Sequence, residues 1–226
     1  YTDWQPIVAL FPKSFPGVKT SRDDSLVSIS REELEKRMGE YFDPKLPLTT
    51  LRNRMGSLTE DTGRFDAKAV REELLKQGIE SGQFQRYVYR PFDVRWVYWH
   101  PSTKLLDEKR PEYVKQIAAS NIWLSATQRN RKEDFYQPQV TRCLADHHIV
   151  ESNVGMFPLY LVAGVDEDTD QAHPDLFAPA KPSGPQPNLT EFAREYLAGL
   201  KCGAEDLFFH IVAVLHAPLY REENAG

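Results

Sequence analysis

The chain has 226 residues, 41% hydrophobic and 27% charged, with 28 Lys and Arg against 33 Asp and Glu and a formal net charge of −5. This is the composition of an ordinary soluble globular protein, with room for one large core or one core and a small appendage. No run approaches the roughly 18–20 apolar residues that span a bilayer, and the first residues lack the basic start and apolar block of a secretory signal. No membrane partner is therefore expected, and the cytoplasm is the expected compartment.

The opening run Ile7-Val-Ala-Leu-Phe11 predicts a short buried strand, followed by the Pro/Gly-punctuated loop Phe15 to Asp24 and an alternating stretch from Ser25 to Ile29. Ser30-Arg-Glu-Glu33 has the form of a capping box, so a helix is predicted from Arg31 to Tyr41 with Leu34, Met38 and Tyr41 inward. A short helix is expected within Leu48 to Met55, and a longer one after Asp66 with Val70, Leu74 and Leu75 inward, fading near Gly78. From Gly82 the pattern becomes β. Phe84 to Arg90 and Val94 to His100 read as two aromatic strands joined by a tight turn at Pro91-Phe-Asp93. A helix with proline at its first position is expected from Pro111 to Ala119. Strands are predicted at Ile122–Thr127, Gln139–Leu144, Ile149–Val150 and Phe157–Val162. Two helices close the sequence, from Thr190 to Leu200 and from Glu205 to Tyr220, the second broken by Pro218.

These elements predict an α+β fold: a mixed, largely antiparallel sheet with flanking helices and a C-terminal helical portion. The linear division expected is an α+β core over 1–163, an acidic Pro-rich loop or linker over 164–187, and a helical portion over 188–226 that packs on the core. The sequence starts at Tyr1 and ends in Glu-Glu-Asn-Ala-Gly, and is expected to be part of a longer polypeptide. Its two cysteines, Cys143 and Cys202, are too few for a disulfide framework or a zinc site. They are expected as small buried hydrophobes in a reduced protein.

Charge is unevenly distributed. Residues 1–144 hold 24 basic and 20 acidic side chains, a balance of +4, whereas 145–226 hold 4 and 13, a balance of −9. Neither a Gly-x-Gly-x-x-Gly turn nor a phosphate-binding Gly-Lys-Ser/Thr loop is present, and no hydrolase elbow or metal-ligand spacing occurs. One catalytic pattern competes. Asp93, Asp107 and Lys109 have the order of a Mg²⁺ nuclease, in which two carboxylates hold the ion and lysine activates water. The same residues also read as a turn aspartate and a polar loop feeding a helix.

Arginine interleaved with aromatics is the more prominent feature. Arg86, Arg90 and Arg95 lie among Phe84, Tyr87, Tyr89, Phe92, Trp96, Tyr98 and Trp99. Two further polar clusters, Lys19-Thr-Ser-Arg22 and Gln128-Arg-Asn-Arg-Lys132, sit in predicted loops. Guanidinium groups take phosphate oxygens or the guanine edge in bidentate fashion, and Asn or Gln does so for adenine. The residues alone leave three readings open: a nucleic-acid reader, a nuclease, or a protein-interaction or packing domain in which the aromatics and the closing helix dock a neighbour. The aromatics at period two also read simply as core and the arginines as a solvated face.

Several segments in order resemble one family. Tyr89-Arg-Pro-Phe-Asp93 resembles a box of type ISP restriction-modification enzymes and related Eco57I-like adenine methyltransferases, followed there too by an aromatic strand (Arg95 to His100) and by Lys109-Arg110-Pro111. Phe157-Pro-Leu-Tyr-Leu161, Asn188-Leu-Thr190 and the closing Phe208 to Glu222 are similar to later boxes, and Gly17 to Asp23 to the loop that opens the target-recognition region. The resemblance implies a sequence-specific double-stranded DNA recognition module that follows a methyltransferase domain in the parent chain. It implies no catalytic residue, metal or cofactor here. S-adenosylmethionine belongs to the parent chain, because the Asn/Asp-Pro-Pro-Tyr/Phe motif and its glycine-rich loop do not occur in this sequence. The expected DNA-contacting residues are Lys19, Thr20, Arg22, Arg90, Arg95, Arg110, Gln128, Arg129, Asn130, Arg131 and Lys132, with Arg90 alternatively an ion pair of Asp93.

Overall fold

A computed structural model of the chain describes residues 5–117, 121–127, 137–150, 154–162 and 184–224. Two compact units emerge: one formed by Tyr1–Pro16, Glu112–Arg142 and Val150–Gly226, the other by Gly17–Pro111 and Cys143–Ile149. The fold is α+β, as its sequence predicts. Among the described residues the strands form two four-stranded sheets and one two-stranded ribbon rather than a single sheet.

In the first unit, strands Phe15–Pro16, Gly155–Pro158, Trp123–Ala126 and Gln139–Thr141 lie side by side, all antiparallel. Trp123–Ala126 is buried throughout, which requires apolar cover on both faces. Leu124 and Ala126 face a cluster with Phe11, Phe157, Leu159, Ala193, Leu197, Leu207 and Phe208. Trp123 meets Tyr113 and Phe15 edge-on, at 4.8 and 5.9 Å between ring centroids. The closing helices Glu191–Leu200 and Ala204–His216 supply Ala193, Leu197, Leu207 and Phe208 to this cluster. Thr190 caps the first of them, accepting from Ala193 N–H at 3.2 Å while donating to Ala9 O at 2.7 Å.

Buried amides tie this unit together where strands end. Asn188, fully buried, accepts from Lys13 N–H (3.1 Å) and donates to Lys13 O (2.8 Å) and Pro158 O (2.9 Å). Asn121 similarly accepts from Ile122 and Tyr160 N–H and donates to Tyr160 O. Each side chain does the work of a strand residue, which backbone polar groups demand when buried.

The second unit is built on strands Val27–Ser28, Asp93–Tyr98, Phe84–Arg90 and Leu144–Ala145, in that order, with the last pair parallel. The hairpin Phe84–Tyr98 has the predicted aromatic strands. Helix Arg31–Tyr41 begins as expected: Ser30 accepts from Glu33 N–H at 3.2 Å, although the Glu33 carboxylate takes the Ser28 hydroxyl instead of closing the box. Asp66 caps helix Ala67–Gln77, which ends at Gly78 with φ of +79°.

Other expectations are corrected. Ile7–Leu10 is a helical turn, not a strand. Five apolar residues carry no periodicity to separate the two, and Pro6 sets an extended entry after which Phe11 N–H bonds Ile7 O at 2.8 Å. The alternating run from Ser25 is split between a helical turn Asp23–Leu26 and strand Val27–Ser28. Ile149–Val150 forms no strand, and the described helix at Pro111 ends at Val114. Cys143 is half-buried and Cys202 exposed, the latter because it follows the left-handed helix cap at Lys201. The linear three-part division gives way to interleaved units, and most of the 164–187 segment lies outside the described residues. Among the described residues no helix is long and apolar enough to cross a membrane.

Replacing Asn188 with alanine removes three hydrogen bonds at a fully buried position. At about 1 kcal/mol each, the expected loss is about 2–4 kcal/mol, read as a lowered urea midpoint with an unchanged slope.

Candidate nucleic-acid interface

The loop from Gly17 to Asp23 is gripped on two sides. On one, Val18 N–H bonds Ala145 O at 2.9 Å and His147 N–H bonds Val18 O at 2.8 Å. On the other, Lys19 exchanges both backbone bonds with Glu108, at 3.1 and 3.0 Å. Glycine is required at 17 because a Cβ there would lie 2.6 Å from Asp146 O. The loop therefore sits at a fixed height beside the sheet.

Asp146 anchors the arrangement. Its carboxylate, almost fully buried, accepts from the Tyr87 hydroxyl, from Arg90 Nη1 at 3.0 Å and from His148 N–H at 2.7 Å. Burial, with the nearby Asp146 charge, pushes the Tyr87 phenol well above its ordinary value, so it remains a donor at neutral pH. His147 is held below its ordinary value by burial and by neighbouring His148, and is neutral at pH 7.

Tyr89 is the second anchor. The Arg90 and Arg95 guanidinium groups lie 4.0 and 4.2 Å from its ring centroid. Arg95 holds Asp93 in bidentate fashion, Nε to Oδ1 at 3.0 Å and Nη2 to Oδ2 at 2.7 Å. That bond holds the Asp93 carboxyl below its usual value. Arg90 thus pairs with Asp146, and the alternative pairing with Asp93 is taken by Arg95. Arg86 and Arg31 each lie 5.1 Å from the Trp96 ring.

The expected contact residues fall into three groups. Lys19, Arg90, Arg95 and Arg110 retain exposed surface: Lys19 Nζ lies 3.1 Å from Asp107, and Arg110 pairs with Glu108. Thr20 and Arg22 are withdrawn from the surface. The Thr20 hydroxyl donates to Asp23, and Arg22 donates from Nη1 to Thr20 O and Leu105 O with its guanidinium 3.7 Å over Phe65. Both shape the loop rather than present it, because a long cationic side chain reaches backbone carbonyls as readily as solvent. Gln128, Arg129, Asn130, Arg131 and Lys132 lie outside the described residues.

Lys19, Thr20, Ser21, Asp23, Asp24, Arg90, Asp146 and His148 line one open depression of about 410 Å³. Among the described residues, three of the four non-glycine residues with positive φ belong to this neighbourhood: Ser21 (+55°), Phe92 (+62°) and Arg110 (+52°). Such strain is retained at functional sites. Sequence reasoning missed Asp146, Tyr89 as a platform, and Asp107 as the partner of Lys19. Only Tyr89 lay within a recognisable box.

The residues of the nuclease pattern have separate partners. Asp93 holds Arg95, Asp107 accepts from Lys19 and Ser21, and the Lys109 ammonium donates to Pro101 O. Among the described residues no group of three or more His, Cys, Asp and Glu could hold a metal ion.

Two outcomes are expected. Tyr87→Phe deletes a buried bond to a charged acceptor and costs about 1.5–3 kcal/mol in denaturant unfolding. Acid should loosen the loop: burial raises Asp107, but bonds from Lys19 and Ser21 and the Lys19 and Arg64 charges outweigh it, so Asp107, like Asp93, sits below its unfolded value. Their contribution is therefore complete above about pH 4–5 and disappears as pH falls through the lower folded values. Asp107→Asn should flatten the acid limb of a stability–pH curve.

Residues 9–226 match the family described as the Type ISP C-terminal specificity domain. Solved structures of similar fold include the DrdV–DNA complex determined by cryo-EM (TM-score 0.61, 22% identity, covering 95% of this chain and 20% of that one). A nuclease-deletion mutant of the Type ISP restriction-modification enzyme LlaGI with a DNA substrate mimic matches at TM-score 0.58 and 16% identity, over 96% and 19%. The ATP-dependent Type ISP restriction-modification enzyme LlaBIII bound to DNA matches at 0.59 and 17%, over 94% and 14%. This chain thus spans a fifth or less of those proteins, and at such identities the likeness speaks for the fold. No curated protein matches by sequence. With its boxes in order and its match extending over nearly its whole length, the chain belongs to the Type ISP C-terminal specificity domain family.

Proposed function

We propose that this domain is the sequence-specific double-stranded DNA recognition module of a restriction-modification enzyme and performs no chemistry itself. The observation that carries the reading is the family match over residues 9–226. The site supplies the means. Lys19, Arg90, Arg95 and Arg110 form a set of cations whose orientations are fixed by carboxylates and by the Tyr89 ring. A guanidinium already held in one rotamer loses less entropy when it meets a base edge or phosphate, which favours selective reading over indiscriminate attraction. The acidic isoelectric point fits this division, since non-specific affinity scales with uncompensated positive charge.

In this proposal Arg95 and Arg90 read base edges from the hairpin, while Lys19 and Arg110 hold backbone phosphates. The segment Gln128 to Lys132 adds further contacts, on the strength of its composition. Methyl transfer, with its S-adenosylmethionine, belongs to a methyltransferase domain of the parent chain, and no residue of this domain is assigned to it. A cytoplasmic location accords with this role.

Binding of the full-length protein to a duplex selected from a random pool tests the proposal. Lys19→Ala should weaken all sequences alike and reduce the slope of log K against log salt by about one. Arg95→Ala should cost about 1–3 kcal/mol at one base pair and relax preference there. Equal affinity for every duplex in the wild type would refute the assignment.

A further inference from the structure

We propose that Phe92 is an apolar wedge which the hairpin tip inserts between stacked base pairs of the recognised duplex; this rests on the recognition reading above. Phe92 is 91% exposed, ahead of Ile29 at 75% among the exposed large hydrophobic side chains. It lies at the apex of a hairpin whose backbone register sets Arg90 opposite Asp93, leaving Pro91 and Phe92 as a two-residue turn.

Local physics opposes phenylalanine there. Proline at the first central position and positive φ at the second is the pattern of a type II turn, whose second position calls for glycine or asparagine. Two-residue hairpins moreover favour the primed turns, with Asn-Gly or Gly-x sequences. Phe92 instead adopts φ of +62° while presenting its ring to solvent, so neither backbone nor burial repays it. A bulky residue held in that conformation points to a use for the ring outside the domain's own fold.

The surroundings specify the partner. On one side of the turn, Arg90 is moored to Asp146 and the Tyr89 ring; on the other, Arg95 is moored to Asp93 and the same ring. An exposed ring on a turn whose two flanking strands each carry an immobilised guanidinium group suits a partner that combines flat apolar faces with negative charge. Stacked bases bracketed by phosphates have that combination, and phenylalanine and proline are among the side chains that unstack base steps. An apolar protein pocket would gain nothing from the two cations.

The test uses the full-length protein and a high-affinity duplex carrying 2-aminopurine at successive positions. Wild type should raise fluorescence several-fold at one base step. Phe92→Gly removes the ring and relieves the backbone. It should abolish that signal and weaken binding by about 5- to 150-fold, with the salt slope unchanged because no charge is lost. Phe92→Tyr should retain both. A base extruded for catalysis elsewhere in the protein gives a signal that persists in Phe92→Gly and is thereby separated. Undiminished affinity with the same fluorescence map in Phe92→Gly overturns the wedge while leaving recognition standing. So does a lowered melting midpoint with unchanged DNA binding, which places the ring against another part of the protein. If wild type selects no duplex, the recognition reading itself fails and the wedge with it.

Discussion

The buried carboxylate of Asp146 is the constraint on which the second unit's working surface depends. A charge taken out of water is tolerated only when its lone pairs are filled, and here a phenol, a guanidinium and a backbone N–H fill them. Those three donors come from strand Phe84–Arg90 and from the residue that follows the adjoining His147. The same stretch of backbone grips the Gly17–Asp23 loop through Val18. One ionised group thereby fixes the sheet, the loop and Arg90 relative to one another.

Charge pairing around this point is nearly complete. Asp107 faces Lys19 and Arg64, Asp93 faces Arg95, and Glu108 faces Arg110. Exposed pairs of this kind contribute little to stability. Their consequence is geometric: flexible cationic side chains are reduced to single orientations, and the surface offers directed donors in place of a diffuse positive field. Directed donors of this kind fit the proposed reading of sequence better than indiscriminate coating of nucleic acid, and they are compatible with an acidic chain.

Backbone strain follows the same map. Ser21, Phe92 and Arg110 take positive-φ conformations that side chains ordinarily avoid: Phe92 between the paired strands of the hairpin, and Ser21 and Arg110 two residues after Lys19 and Glu108, which pair with each other. Ser21 is further tied to Asp107. In the first unit, by contrast, apolar burial and the amide bridges of Asn121 and Asn188 account for the packing, and Lys201 is the one described non-glycine residue with positive φ, at an ordinary helix cap.

The sequence by itself determined the elements whose signals are local. Helix Arg31–Tyr41 follows from its serine cap and inward Leu34, Met38 and Tyr41, helix Ala67–Gln77 from Asp66 and Gly78, and the aromatic hairpin from its alternation and turn. Family membership was legible for a related reason, since ordered short boxes survive as contiguous residues. Tertiary structure alone decided what depends on residues distant in sequence. It turned the unpatterned Ile7–Leu10 into a helix against the core, and it separated the strands into two sheets. It also withdrew Arg22 onto Phe65 and Leu105 while leaving Arg95 half-exposed. Nothing in the local composition separates those two arginines. Whether a guanidinium meets solvent or a carbonyl 83 positions away is settled only when the chain has folded and burial must be repaid by hydrogen bonds.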